Sequence, residues 1–253
     1  IPSSNSSVPR NYTNSQANPN NFAPEPDGEF DPDGSAKISF WPREIGMAAT
    51  FDMDVIRSHG EIVSTEYRAL GLTTALSPQA DISADPRWRR FYGTFSEDPT
   101  LCADIAREYC DAFQTTKGSR TGWGLNSVNC MVKHWPGGGA GEGGRDAHFC
   151  TGKYAVYPGG RFDLALIPFI KGAFKLPGKT RMASAVMPYY TIPWNQDPSG
   201  ENVANGFSHY IIQDLLRDKY NYEGVVCTDW GIVKDNEVPW GRVSGRTGTP
   251  WGM

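Results

Sequence analysis

Short apolar runs alternate with longer amphipathic segments through most of this chain, from about residue 50 to residue 230. Strands are predicted at the apolar runs Leu72–Leu76, Val128–Val132, Arg181–Met187 and Val225–Cys227. The last strand is expected to be buried on both faces, because parallel sheets are usually covered by helices on both sides. Alternation of strands and helices with short connections predicts an α/β fold built on a parallel sheet.

Capping residues mark the ends of the predicted helices. A helix begins near Asp52 or Asp54 and ends at Gly71, a residue that adopts the left-handed conformation at low cost. Its apolar face is expected to contain Val55, Ile56, Ile62, Val63 and Tyr67. Asp98 and Pro99 begin a second helix, on which apolar residues recur every four positions. Those residues are Leu101, Ile105, Tyr109 and Phe113. Two further helices are predicted over Phe162–Phe174, interrupted at Pro168, and over Phe207–Tyr220.

The composition argues against several classes of protein. The 253 residues carry a formal net charge of −4 without a long Lys/Arg run, so nucleic acid is not an expected partner. No apolar stretch approaches the roughly 18 residues of a membrane span, so a soluble protein is expected. The cysteines and histidines lack metal-ligand spacing, and neither a metal nor a cofactor is predicted. Buried thiols, with one disulfide left open, fit the cysteine positions. The compartment stays open, with a secreted or periplasmic location favoured.

Composition also divides the chain into three parts. Residues 1–40 are rich in Asn, Ser, Pro and Asp and are predicted to be an irregular segment leading into the domain. Residues 41–235 carry the alternating pattern and are predicted to form the α/β domain. Residues 236–253 are interpreted as a loop or linker that is truncated at its C-terminal end.

Polar residues follow the end of every predicted strand. These clusters are Ser77–Asp81, Lys133–Trp135, Pro188–Tyr190 and Thr228–Trp230. In a (β/α)8 TIM barrel the carboxyl ends of all strands meet at one mouth, whereas a doubly wound sheet spreads them along a crevice. Convergence of a Lys, a His, a Tyr and an Asp therefore favours a barrel-like domain, with its first and last strands missing from this chain.

The side chains at these strand ends suit a sugar ligand. Lysine and histidine side chains are rarely buried without partners. Both Lys133 and His134 can donate hydrogen bonds to hydroxyl groups. Asp229 beside the indole of Trp230 provides a carboxylate next to a flat apolar surface. Three alternatives stand beside this interpretation: Asp229 as a helix cap, Lys133 in an ion pair at the barrel rim, and a phosphate-binding glycine loop. The last is disfavoured by Glu142 and by the lack of a Gly-Lys-Ser/Thr sequence.

Seven blocks in a fixed order give the chain a specific resemblance. They are Glu66–Gly71, Leu76–Ile82, Asp85–Trp88, Phe95–Pro99, Lys133–Gly137, Tyr157–Gly160 and Val226–Gly231. Over about residues 41–235 the chain resembles the N-terminal barrel domain of glycoside hydrolase family 3, and most of all its β-glucosidase branch. The resemblance implies a retaining exo-glycosidase that hydrolyses terminal non-reducing β-D-glucosyl residues from oligosaccharides.

The resemblance also implies roles for particular residues. Asp229 matches the nucleophile that forms a covalent glycosyl-enzyme. The substrate-binding residues implied by the family pattern are Arg90, Lys133, His134, Arg145, Tyr190 and Trp230. Cationic donors around a carboxylate favour its ionised form, which is the nucleophilic one.

Three departures from the family pattern bear on specificity and completeness. With Ile1-Pro2 taken as the family's Ile-Pro block, Val8 stands where the family has an aspartate that grips distal hydroxyls, with Arg10 or Asn11 as substitutes. The first and last barrel strands are missing from the pattern. The usual acid/base belongs to a second domain, so a second domain or chain is expected to complete the barrel and supply it.

Two alternatives for the chemistry follow. Asp146 and His148 resemble the Asp–His acid/base of the family's N-acetylhexosaminidases, although the loop that carries them is longer here. A β-xylosidase or N-acetyl-β-hexosaminidase of the same family is therefore an alternative to the β-glucosidase. The other alternative is a non-catalytic carbohydrate-binding fragment.

Overall fold

The computed structural model describes residues 39–148, 151–230 and 232. The predicted N-terminal segment up to residue 38, with Val8, Arg10 and Asn11, and the predicted linker 236–253 lie outside the described residues. The strands are β1 (Thr74–Ala75), β2 (Asn129–Trp135), β3 (Tyr154–Ala155), β4 (Ala185–Pro188), β5 (Ile192–Pro193) and β6 (Val225–Val226). The helices are α1 (Glu44–Ala48), α2 (Met53–Ala69), α3 (Pro99–Gln114), α4 (Phe162–Ile167) and the wide-turned, π-type helix α5 (Tyr210–Lys219).

The main sheet is parallel and its strands follow one another in chain order. Its order is β1-β2-β4-β6, and every neighbouring pair is parallel. Strand order that never reverses is typical of a barrel, whereas a doubly wound sheet reverses at a switch point. A separate two-stranded parallel sheet pairs β3 with β5. These short strands lie in the connections that follow β2 and β4, at the carboxyl end of the main sheet.

The strands are shorter or shifted relative to the prediction, although each predicted strand exists. β1 is two residues long. β4 begins at Ala185, and the predicted first residue, Arg181, lies outside it with a left-handed φ of 66° that is incompatible with a strand. The expectation that Val225–Cys227 is buried on both faces is wrong. Val225 is 63% exposed, and β6 is an edge strand among the described residues.

The first two long helices begin where the caps predict, and the first also ends there. Asp52 caps α2 and Asp98 caps α3, each accepting two backbone N–H groups, and Gly71 follows α2 with a φ of 78°. On α2 the inner row is Ile56 and Val63, both buried. The predicted inward positions of Val55 and Ile62 are wrong. Both are exposed, since their row lies about 100° around the helix from the inner row.

The helices pack on the outer face of the sheet and make one continuous core with it. Tyr109 and Phe113 of α3 stack with ring centroids 4.4 Å apart and an interplanar angle of 11°. The predicted interruption at Pro168 takes the form of a wider π-type turn, Pro168–Ala173, that continues α4. Proline lacks the N–H that an α-helical hydrogen bond at this position needs, which accounts for the wider turn.

Candidate active site

Close backbone contact brings the ends of β1 and β2 together. A Cβ on Gly139 would lie 1.8 Å from the carbonyl oxygen of Ile82, so only glycine fits there. A Cβ on Gly138 would come within 2.9 Å of the Tyr189 ring. The glycine loop after β2 therefore lies directly against the loop after β1, and the side chains between them are shielded from water.

Asp81 holds the end of β2 in place through three hydrogen bonds. Its Oδ1 accepts the backbone N–H of Gly138 and, at 3.1 Å, that of His134. Its Oδ2 lies 2.7 Å from Nδ1 of His134. Burial raises the pKa of Asp81 to about 6, while the backbone donors of Gly138 and His134 oppose that rise. At neutral pH the carboxyl is therefore ionised and acts as an acceptor.

The hydrogen bonds of His134 define its tautomer. Nε2 lies 3.1 Å from Nη1 of Arg90, and a guanidinium can only donate. Nε2 is therefore the acceptor, and Nδ1 carries the proton that is donated to Asp81. Burial and the charge of Arg90 hold the pKa of His134 well below its ordinary value, so the ring is neutral.

Two buried cations lie at this end of the sheet. Burial and repulsion by Arg90 lower the pKa of Lys133 to about 7, against the pull of nearby carboxylates such as Asp229. Burial also works against the charged form of Arg90, but Tyr189 and the carboxylates of Asp146 and Asp229 raise its pKa above the ordinary arginine value. Arg90 is thus a permanent charge, whereas Lys133 changes its charge near neutrality.

Asp229 faces this cluster with one oxygen uncommitted. It is 4% exposed, and its Oδ1 accepts the backbone N–H of Trp230 at 2.8 Å. Its Oδ2 is buried, has no hydrogen-bond partner in the described part of the chain, and lies 4.0 Å from Nε2 of His134. Tyr190 lies beside it: burial and the Asp229 charge raise the pKa of the tyrosine, whose hydroxyl donates to the Trp230 carbonyl at 2.8 Å.

A second carboxylate, Asp146, is fully engaged by donors. Its Oδ2 accepts from Nε1 of Trp88 at 2.8 Å and from the hydroxyl of Tyr189 at 3.2 Å. Its Oδ1 accepts the backbone N–H of His148 at 2.9 Å and lies 2.6 Å from Nδ1 of the same residue. Burial opposes ionisation, but the contacts with His148 and the charge of Arg90 hold the pKa of Asp146 well below its ordinary value.

The structure brings most of the predicted site residues together. Arg90, His134 and Asp229 form a chain of contacts, with Lys133 and Tyr190 at its sides. The ring of His148 lies 5.0 Å from that of Tyr190, at the edge of the cluster. Trp230 is half-exposed next to Asp229.

Arg145 is the predicted site residue that the structure does not bring into this cluster. Its side chain is 53% exposed and faces Glu142 at 3.6 Å.

Sequence reasoning gave no role to Asp81, Tyr189 or Trp88. Each lies in a segment that it singled out, and Asp81 ends the polar cluster after β1. A buried acid at one strand end next to a histidine at the neighbouring strand end is the signal that would have identified Asp81 as a partner of His134.

Comparison with protein families supports one assignment over most of the chain. Residues 33–244 match the model of the glycosyl hydrolase family 3 N terminal domain. The chain is 39% identical over 227 residues to a periplasmic beta-glucosidase/beta-xylosidase of Dickeya chrysanthemi, covering 86% of this chain and 33% of that protein. It is 40% identical over 201 residues to beta-glucosidase C of Emericella nidulans, covering 79% of this chain and 31% of that protein. The chain therefore spans about a third of the length of the curated relatives it matches.

Solved structures share the fold. A beta-glucosidase from Listeria innocua matches with a TM-score of 0.61 and 24% identity, over 77% of this chain and 24% of that one. The TIM-barrel-like α/β fold predicted from the strand ends is confirmed by this match and by the parallel sheet.

Proposed function

This chain belongs to glycosyl hydrolase family 3, and on that premise we propose that it carries the nucleophile of a retaining exo-glycosidase. The substrate is a short oligosaccharide or β-glucoside, from which a terminal non-reducing β-D-glucosyl residue is removed. The observation that carries this proposal is the uncommitted Oδ2 of Asp229. It is a buried carboxylate oxygen with no hydrogen-bond partner in the described chain, at the carboxyl end of a parallel barrel sheet.

The reaction runs in two displacements. Oδ2 of Asp229 forms a bond to C1 of the sugar while the bond from C1 to the leaving oxygen breaks, and that oxygen takes a proton from a general acid. Water, deprotonated by the same group, then attacks C1 and releases the carboxylate. The buried surroundings support this chemistry, because few water molecules compete with the sugar for the uncommitted oxygen.

Lys133 and Arg90 bind the hydroxyls of the terminal sugar in this proposal. Arg90 is a permanently charged donor near Asp229, and Lys133 is a second donor that carries its charge below about neutral pH. Hydrogen bonds from charged donors are stronger than those between neutral groups. His134 has no ring N–H left for a sugar hydroxyl, because its proton is donated to Asp81. Its part is to position Arg90 through Nε2.

The test is replacement of the nucleophile in the complete polypeptide. We expect Asp229→Ala to lower kcat/KM for 4-nitrophenyl β-D-glucoside by at least about a hundredfold, since the other two carboxylates of the cluster, Asp81 and Asp146, have both oxygens engaged in hydrogen bonds. The matched control is Asp163→Ala, which removes a surface carboxylate that forms an ion pair with Arg161, remote from the cluster in sequence. A 2-fluoro glucoside should leave a covalent adduct on Asp229. Retention of more than a few per cent of the activity by Asp229→Ala contradicts the proposal.

A second candidate concerns the proton donor. His148 lies 2.6 Å from Asp146 through Nδ1 and packs against Tyr190, and these contacts support His148 as a candidate acid/base within the chain itself. Asp146 already accepts four hydrogen bonds, which leaves His148 as the group of the pair that exchanges protons. This observation favours an N-acetyl-β-hexosaminidase, whereas a glucosidase or xylosidase takes its acid/base from a further domain or chain.

Leaving groups of different basicity separate the two candidates. With His148 as the acid, His148→Ala slows hydrolysis of alkyl glycosides far more than that of 2,4-dinitrophenyl glycosides, whose leaving group needs no proton. Comparison of glucoside, xyloside and N-acetylglucosaminide turnover by the wild-type protein identifies the sugar. An equal effect of His148→Ala on both leaving groups removes His148 from this role.

A further inference from the structure

Two neighbouring loops at the amino end of the main sheet carry an excess of positive charge. They are residues 115–127, before β2, and residues 175–184, before β4, and we call them the basic loops. Together they contain five cationic side chains and no acidic one, in a chain whose formal net charge is −4. The five are all exposed: Lys117, Arg120, Lys175, Lys179 and Arg181. The charge of this surface is therefore opposite to that of the chain as a whole.

Direct contacts join the basic loops into one surface. A Cβ on Gly122 would lie 3.1 Å from the backbone nitrogen of Thr180, so the two loops touch at this glycine. Nζ of Lys179 donates a hydrogen bond to the Ser119 carbonyl at 3.3 Å, which crosses from one loop to the other. The cationic side chains of both loops therefore lie on one continuous face of the molecule.

Carboxylates of the described chain neutralise little of this charge. Lys117 pairs with Glu61 of α2 at 2.9 Å. Asp111, at the end of α3, is buried and already bound by Arg57 at 3.1 Å. The other four cations form no ion pair with a carboxylate among the described residues: Arg120, Lys175, Lys179 and Arg181. A cluster of like charges without internal counter-charges attracts anions from its surroundings.

Exposed apolar side chains lie among the cations. Leu125 is 85% exposed, the highest value for any large apolar residue that the structure describes. Trp123, two residues earlier in the same loop, is 36% exposed. Hydrogen bonds fix the backbone of this loop: Arg68 of α2 donates to the Leu125 carbonyl at 2.8 Å, and the Ser119 hydroxyl donates to the Trp123 carbonyl at 2.7 Å. The fold therefore holds a tryptophan and a leucine at the surface, next to the cations.

This combination of groups fits an anionic lipid surface better than an acidic polysaccharide. Negatively charged headgroups attract lysine and arginine, and tryptophan is enriched at the interface between membrane and water. A leucine gains free energy when it enters the boundary of the acyl chains. A polysaccharide could stack on Trp123, but it offers no apolar layer to Leu125, whose side chain would stay in water.

We propose that the basic loops form a docking surface for membranes that contain anionic phospholipids, with Trp123 and Leu125 entering the headgroup region. This surface lies at the amino end of the sheet, whereas Asp229 lies at the carboxyl end. The seven residues of β2 separate the two ends by about 20 Å. Docking thus keeps the membrane away from the proposed active site, and the inference is independent of the proposed function.

Vesicle co-sedimentation of the complete polypeptide tests the proposal. The probes are vesicles of phosphatidylcholine alone and of an equal mixture of phosphatidylcholine and phosphatidylglycerol. We expect binding to the mixed vesicles only, with release at high salt because exposed charges are then screened. Arg120→Ala should lower the partition coefficient about fivefold, through the loss of one surface cation. Leu125→Ser should lower it about tenfold, through the loss of apolar contact with the lipid.

The matched control is Arg161→Ala, which removes an exposed cation at the start of α4, at the carboxyl end of the sheet. It should bind the mixed vesicles as wild type does. Three outcomes overturn the inference. They are absence of binding to the mixed vesicles, equal binding by wild type and Leu125→Ser, and binding to polygalacturonate that is as tight as binding to the vesicles. The last outcome would identify the partner as an acidic polysaccharide. Hydrolysis of 4-nitrophenyl β-D-glucoside is a separate readout, so failure of the proposed function leaves this test intact.

Discussion

Buried ionisable side chains differ in whether they have hydrogen-bond partners, and His59 is a buried histidine in largely aromatic surroundings. It is 6% exposed, its Nδ1 has no hydrogen-bond partner within the described residues, and its ring is surrounded by Trp41, Tyr109 and Phe113. Burial lowers its pKa to about 4 from the ordinary 6.5. By contrast, His134 is buried with a partner on each ring nitrogen.

His59 should therefore make the fold sensitive to acid. Its folded-state pKa lies below the unfolded value, so the unfolded chain binds more protons between pH 6.5 and 4, and stability falls as the pH falls through that window. The loss is at most about 3 kcal/mol. His59→Phe, measured by chemical denaturation at pH 7 and pH 4.5, should lose less stability on acidification than wild type. Equal losses in both proteins would show that His59 does not contribute.

The site residues show which parts of the site could be predicted from the sequence and which could not. Lys133, His134 and Asp229 were predictable, because polar residues at the carboxyl ends of parallel strands converge whatever the loops do. The position of Arg145 and the donors around Asp146 were not, because both depend on the path of the glycine-rich loop after β2. That path is determined by close contacts such as Gly139 against Ile82, which leave no periodic signal in the sequence.

Among the secondary-structure elements, α3 and the π-type turn after α4 are in close contact. A Cβ on Gly172 would lie 2.5 Å from the Ala103 carbonyl oxygen, so backbone meets backbone there. Helix caps were predictable because they are local, as the hydrogen bonds of Asp98 to the first turn of α3 show. The two-residue length of β1 was not, because strand ends depend on neighbouring strands.

The close contact at Gly172 makes a direct prediction. Gly172→Ala should lower the free energy of unfolding by about 1–3 kcal/mol, because the added methyl group has no space and the two elements must separate. Lys171→Ala, on the exposed neighbouring position, should change it by less than about 0.5 kcal/mol. Thermal denaturation of both variants gives the comparison. A neutral Gly172→Ala would mean that the two elements move apart without cost.

In the whole molecule, β6 presents an unpaired edge within the described residues. The backbone N–H groups of Val225 and Cys227 donate to the carbonyls of Ser184 and Val186 in or next to β4. Alternate residues of a parallel strand bond in opposite directions, so the N–H of Val226 points away from β4. We infer that a further strand of the complete protein, in the same chain or a partner, pairs with this edge.

Hydrogen exchange measures that pairing. In the complete polypeptide we expect the Val226 amide to be protected about as strongly as that of Cys227, whose bond to β4 provides an internal reference. Fast exchange at Val226 with slow exchange at Cys227 would mean that the edge is open to solvent. The amide of Leu125, which is 85% exposed in the loop before β2, is expected to exchange rapidly and provides the unprotected limit.

The two occupied ring nitrogens of His134 have a consequence for any pH–rate profile of this protein. An imidazole in the middle of the proposed catalytic cluster is the group to which a decline of turnover in mild acid would ordinarily be assigned. Here neither ring nitrogen of His134 is available for proton exchange, since Nε2 accepts a hydrogen bond from Arg90 and Nδ1 donates one to Asp81. The fall in rate at acid pH is therefore due to the protonation of a different group, and His134 does not contribute to it.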